Sequence, residues 1–166
     1  MFRRKAKSKS QPPGEVYDTL RTRALEVEEA TLGRAPVEHP QVLGTVIDIP
    51  SEGGIASVVA LADGTTSMYT STGGGTIGAG THEAVATRTR ALLTTLQRLI
   101  EMFPADDRVD LPPADFVQIT VITPSGRCRA SIPTAAFWGQ EPSTVVDLIA
   151  AIQDVISAIR SAGPST

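Results

Sequence analysis

Val58-Val59-Ala60-Leu61-Ala62-Asp63-Gly64-Thr65-Thr66-Ser67-Met68-Tyr69 carries the pattern that sets the fold. Two β-rich runs flank Asp63-Gly64, a turn pair in which glycine tolerates the positive φ of a tight hairpin. A Gly-rich stretch follows, then apolar residues at helical spacing from Glu83 to Phe103. The order returns in Val117-Gln118-Ile119-Thr120-Val121-Ile122-Thr123-Pro124-Ser125-Gly126-Arg127-Cys128-Arg129-Ala130, a connector, and a helical stretch from Thr144 to Ile159. Strand, turn, strand, loop and helix therefore occur twice. Only the first loop holds Gly73-Gly74-Gly75-Thr76-Ile77-Gly78-Ala79-Gly80.

Upstream of the first half, Glu15 to Leu32 is helical in pattern, with Val16, Leu20, Ala24 and Val27 on one face and Gly33 as a C-cap. Ala35-Pro36 and His39-Pro40 make a turn-rich connector. Val42 to Ile49 is a strand, and Ser51-Glu52-Gly53-Gly54 turns it into a second from Ile55 to Ala62. Thr65 to Ser71 is the third. The middle helix lines up Val85, Leu92, Leu96, Leu99 and Phe103, and Pro104 ends it. Phe116 to Ile122 and Arg127 to Ile132 form the second hairpin, with Cys128 and Ala130 on one face and Arg127, Arg129 and Ser131 on the other. Ser143 is placed to cap the last helix, whose face is Val145, Leu148, Ile149, Ile152, Val155, Ile156 and Ile159.

The element order is thus α-β-β-β-α-β-β-α. Strands joined by short turns are antiparallel, and amphipathic helices must cover an apolar sheet face. The expected fold class is α+β: one antiparallel sheet of about five strands with helices packed on one face, built on two ββα halves at about 55–103 and 116–160. The first helix is expected at the sheet edge or swapped into a partner.

With 166 residues, 41% of them hydrophobic and 20% charged, the chain fits one globular domain over 14–166. Aromatics are only 4%, too few for a base-stacking surface. Arg3, Arg4, Lys5, Lys7 and Lys9 crowd into a segment, residues 1–13, that reads as a disordered basic tail. Without those charges the net −3 becomes about −8, so the remainder is acidic. The tail reads as a solubilising end, with weak contact to nucleic acid or an anionic membrane as the alternative. Ser10-Gln11-Pro12-Pro13-Gly14 stands where a signal peptide would carry an apolar stretch of roughly 7–15 residues. No run approaches the ~18 apolar residues of a membrane span. Cys128 is the single cysteine, so an intrachain disulfide is impossible. The expected location is cytoplasmic.

The element order is similar to that of the type III secretion chaperones and related small dimeric chaperone-like domains. That likeness covers most of the chain and implies an α+β fold and self-association. The run from Ala62 to Gly78, Ala-Asp-Gly-Thr-Thr-Ser-Met-Tyr-Thr-Ser-Thr-Gly-Gly-Gly-Thr-Ile-Gly, resembles a motif of an uncharacterised bacterial protein family over about residues 42–103, which implies no known activity.

Gly73, Gly75 and Gly78 satisfy G-x-G-x-x-G between a strand and a helix. Glycines let backbone N–H groups approach an anion, and a helix N-terminus adds positive potential. The candidate ligand-binding set is therefore Gly73, Gly74, Gly75, Thr76, Gly78, Gly80 and His82. Against a dinucleotide site, the preceding strand is the return arm of a hairpin rather than part of a parallel βαβ unit. The competing reading is structural: the glycines permit unusual φ/ψ where sheet passes to helix. His82 with Ser71 and Glu83 makes no recognisable nucleophile elbow, and His39 lies in a Pro-flanked loop. Asp106, Asp107 and Asp110 lack the spacing of a calcium loop. Phe137 and Trp138 are candidate partner contacts, or else cap the open end of the core. No catalytic set, metal site or cofactor is assigned. The chain reads as a non-enzymatic interaction or chaperone-like module, homodimeric or with a protein partner. The alternative is a binder of a small anionic ligand through Gly73–Gly80.

Overall fold

The computed structural model describes residues 12–163. The basic residues Arg3 to Lys9 lie outside them. Alternation of apolar and small polar residues along the strands sorts each strand into two faces, and antiparallel registry aligns those faces. The strands are β1 (Gly44–Ser51), β2 (Gly54–Leu61), β3 (Thr66–Thr70), β4 (Gly75–Thr76), β5 (Phe116–Thr123) and β6 (Gly126–Pro133). They form one antiparallel sheet in the order β4-β3-β2-β1-β5-β6. The expected α+β architecture stands, with six strands rather than five. The extra one is the two-residue β4 inside the glycine stretch, where Gly75 lies against Tyr69.

The helices are α1 (Pro13–Leu25), α2 (Glu29–Leu32), α3 (Glu83–Leu99), α4 (Thr134–Phe137) and α5 (Val146–Ala162). On one sheet face, Ile47 of β1, Val58 of β2, Ile119 of β5 and Ile132 of β6 pack under Val85, Leu92 and Leu96 of α3 and Leu148, Ile152 and Ile159 of α5. Burying a side chain of this size is worth about 1.5–3 kcal/mol, which outweighs the poor helix propensity of the β-branched residues in α5. The middle helix relaxes into a 3-10 turn at Ile100–Met102 before Pro104. The last begins at Val146 with Val145 at its N-cap rather than Ser143, whose hydroxyl instead accepts from the Val145 amide.

The first helix departs from expectation. It lies across the opposite face of the sheet rather than at its edge, in a cluster of Tyr17, Ala24 and Leu25 with Val46, Val59, Tyr69 and Ile122. It also stops at Leu25, and Glu28 is extended before α2 begins. The buried face is Tyr17, Arg21, Ala24 and Leu25, one position round from the apolar stripe of the sequence, and Val16 is exposed.

The polar residues of the sheet explain that rotation. Registry places Tyr69, Ser57, Asp48, Gln118 and Ser131 in one row across β3, β2, β1, β5 and β6. Asp48 is fully buried. Its Oδ1 accepts from Arg21 Nε at 3.0 Å and from Ser57 Oγ at 2.6 Å, and its Oδ2 accepts from Arg21 Nη2 at 2.8 Å. Because Ser57 spends its proton on Asp48, Tyr17 donates to Ser57 Oγ, at 2.7 Å. Arg21 Nη1 donates onward to the Val109 carbonyl at 2.7 Å, tying in the 104–113 segment. Burial disfavours the Arg21 charge, but the bonds and charge of Asp48 more than offset it and raise its pKa. A buried charge is tolerable only when paired, so α1 must present Arg21 rather than its apolar stripe.

Both sheet edges are guarded. The β4 edge is two residues long. Beside β6, the Arg129 amide donates to the Pro104 carbonyl, the Asp106 amide to the Arg127 carbonyl, and the Arg127 amide to Asp107 Oδ1. A covered edge cannot template pairing with another chain. No helix among the described residues is long and apolar enough to cross a membrane.

Asp48→Ala, which strands Arg21, should cost about 3–5 kcal/mol in urea unfolding. The double variant Arg21→Met/Asp48→Leu should recover most of that loss. Equal loss in the single and double variants would mean the pair is not what seats α1.

Candidate functional site

The glycine stretch crosses from β3 to α3, and each turn of it has a steric cause. Gly73, Gly74, Gly75 and Gly78 all have positive φ. At Gly75, φ is +146°, and an added Cβ would lie 2.6 Å from the Tyr69 Cα and collide with the Met68 carbonyl. At Gly80 an added Cβ would collide with the Gly64 carbonyl. The 3-10 turn Ala79–Thr81 thus sits directly on the β2–β3 turn. That turn has Gly64 at φ +94° and Leu61 paired with Thr65, so three residues form it rather than two.

Several amides in and beside the stretch are committed within the fold. Gly73 N donates to the Thr70 carbonyl, Gly78 N to Ser67 Oγ, and Thr81 N to the Gly78 carbonyl. Thr76 pairs with Met68 in the β4 ladder. His82 is exposed at the α3 N-cap, and its backbone bonds to Ala79 and Ala86. Ser71 is engaged elsewhere, its hydroxyl accepting from the Ile55 amide at 2.9 Å. The structure therefore brings Gly73, Gly74 and Gly75 together on one wall, but leaves Gly78, Gly80 and His82 on the far side of the bend, with no shared focus for a ligand.

The wall faces a cleft of about 410 Å3 against Val16, Tyr17 and Leu20 of α1, with Tyr69 also lining it. Tyr17 and Tyr69 meet edge to face with ring centroids 5.8 Å apart. Tyr69 is 6% exposed, and its hydroxyl is buried without a hydrogen-bond partner. Burial, then the neighbouring Tyr17 and Asp48, push its pKa far up, so the phenol stays protonated. Among the described residues, the walls of this cleft carry no cationic side chain.

Phe137 and Trp138 separate. The single turn of α4 drives Phe137 wholly into the core, out of reach of any partner, while Trp138 remains 50% exposed. Their rings stand edge to face at 4.9 Å. His39 is buried in its connector with Nδ1 at 2.9 Å from the Val42 carbonyl. The acidic segment is arginine-bound: Asp106 chelates Arg108, and Asp110 bonds Arg129 at 3.2 Å. The Arg108 hydrogen bonds hold the Asp106 pKa down at about 2. Cys128 is half-buried under the helical layer, and burial raises its thiol pKa. No group of three metal-ligating side chains occurs among the described residues.

The residues that sequence reasoning missed are Tyr17, Arg21, Asp48, Ser57 and Tyr69. One signal for them is present: a lone Asp in Val46-Ile47-Asp48-Ile49 falls on the same strand face as Val46, where an unpaired charge could not survive burial.

No protein-family model, curated protein or solved structure matches this chain.

Gly75→Ala carries both strain and a backbone collision and should cost about 3 kcal/mol or more. Gly74→Ala meets open space and should cost about 1–2 kcal/mol, from its positive φ alone. Thermal unfolding ranks the two, and equal small losses would remove the steric role given to Gly75.

Proposed function

We propose that this chain is a small interaction module that self-associates through the surface around Trp138. The observation that carries the reading is a cluster of exposed apolar side chains at one end of the molecule. Trp138 is 50% exposed, and Val146 and Met102 are each 59% exposed. They border two depressions of about 240 and 280 Å3 that share Ser143 as a common wall. Half-exposed tryptophan beside a hollow is the usual composition of an interface centre.

A two-fold dimer needs a patch complementary to itself. Here the projecting Trp138 and the hollows that could receive its counterpart lie side by side, so a second copy fits the same surface. Phe137 beneath keeps the Trp138 ring rigid, which lowers the entropy lost on association. The guarded sheet edges argue that association uses side chains rather than strand pairing.

Trp138 is the chain's one tryptophan, so its emission reports on this surface alone. Raising the protein concentration should shift the emission to the blue as sedimentation velocity records a dimer. Trp138→Ser should weaken association by about 30-fold, the loss of a hot spot worth roughly 2 kcal/mol. A monomer at every concentration, or a dimer indifferent to Trp138→Ser, would overturn the proposal.

A further inference from the structure

The exposed apolar end of the molecule holds one side chain that an oxidant can alter in place. Met102 closes the 3-10 turn Ile100–Met102 after α3, and it is 59% exposed. The next residue, Phe103, is buried, and Pro104 stops the helix, so the turn leaves Met102 at the rim. It lines the hollow of about 240 Å3 with Leu99, Phe103, Ile132, Val145 and Leu148.

The other sulfur atoms are worse placed to react. Of the two remaining methionines, Met1 lies outside the described residues and Met68 packs against the core under the helices. Cys128 is half-buried, and burial and then Asp107 push its thiol above its ordinary range, which keeps the reactive thiolate scarce. Among the described residues, Met102 is therefore the sulfur most open to an oxidant.

Oxidation there bears directly on packing. A peroxide transfers one oxygen atom to the thioether: an S–O bond forms, the O–O bond breaks, and water leaves. The sulfur loses two electrons and the peroxide gains them. A flexible apolar side chain becomes a polar sulfoxide. On an open surface water solvates the new oxygen. Pressed against the apolar side chains of a second copy it would be desolvated, which disfavours association.

We propose that Met102 is the site of a reversible, peroxide-driven modification that dissociates the self-associated form. This rests on the Trp138 reading and adds a control to that same surface. The second copy covers Met102 in the dimer, and the monomer leaves it open, so peroxide acts on the monomer and the sulfoxide holds it there. Reversal requires a methionine sulfoxide reductase, which restores the thioether and releases the oxygen as water while two thiols become a disulfide.

The test treats the full chain with hydrogen peroxide, locates the added oxygen by peptide mass spectrometry and reads the dissociation constant by sedimentation velocity. One oxygen on Met102 should raise that constant about tenfold or more, and the two epimer-specific reductases together should restore it. The oxidation rate at Met102 should fall as rising protein concentration fills the dimer. Met102→Leu keeps the apolar volume and should dimerise like the parent while ignoring peroxide. Met102→Gln is permanently polar and should dimerise about tenfold more weakly with no peroxide present. Neither substitution should move the Tm of the monomer, since the position is at the surface.

A parent chain that is monomeric at every concentration would overturn the Trp138 reading and this inference with it. Four results would overturn the inference alone, given a dimer that depends on Trp138. These are an unchanged dissociation constant with Met102 oxidised, equal dissociation of peroxide-treated Met102→Leu, oxidation of Met68 or Cys128 ahead of Met102, and a loss that the reductases cannot reverse.

Discussion

The Asp48 carboxylate is the constraint around which the other parts of this molecule are arranged. It sits on β1, the strand that joins the two halves of the sheet, and it is fully buried. A lone carboxylate there would be intolerable, so the sequence must supply a cation and donors from elsewhere. Arg21 supplies two bonds from α1, and Ser57 supplies a third from β2. Arg21 then reaches the Val109 carbonyl, so one ionic contact seats a helix and fastens the segment that leads from α3 to β5. Replacing the pair with apolar residues could give equal stability, so its value is positional: it admits only one rotation of α1.

The two sheet faces accordingly follow different rules. Under α3 and α5 the contacts are aliphatic and interdigitated, and their strength scales with buried area. Under α1 the packing is mixed, with Tyr17 and Leu25 beside hydrogen-bonded Ser57, Asp48 and Gln118. Such a face orders fewer apolar atoms and more directed bonds. It therefore specifies geometry strongly where every group is satisfied, and it leaves a visible defect where one is not, as at Tyr69.

The pattern rules that locate elements worked wherever burial is apolar. The Val145 to Ile159 stripe, the Cys128/Ala130 face and the Ser125-Gly126 hairpin are legible because period and turn chemistry agree. They failed on α1 because hydrophobic periodicity assumes that the apolar stripe faces the core. Here Arg21 outranks Val16, and the deciding partner, Asp48, is 27 residues away. The glycine stretch shows a similar limit. Its motif suggests an anion loop, yet Gly75 and Gly80 answer to carbonyls of Met68 and Gly64 that only the folded chain brings near. Phe137 and Trp138, adjacent in sequence, part company because a four-residue helix turns one inward. Local spacing carries no information on such distant neighbours.

The position of β1 between the two ββα halves has a bearing on how the chain matures during synthesis. β1, β2 and β3 are joined by short turns and can pair as soon as they leave the ribosome. The other side of β1 must wait for β5, from Gly44–Ile122 to Asp48–Gln118. Until then a nascent chain presents a bare, central, apolar strand edge, and α3 lacks the α5 surface on which it rests. Pairing across so large a sequence separation is slow, and the waiting species is prone to stick to its neighbours. Early docking of α1 through Arg21 is available before β5 exists, since its partner Asp48 lies upstream of it. That contact shields one face of the half-built sheet during the most vulnerable interval of biogenesis.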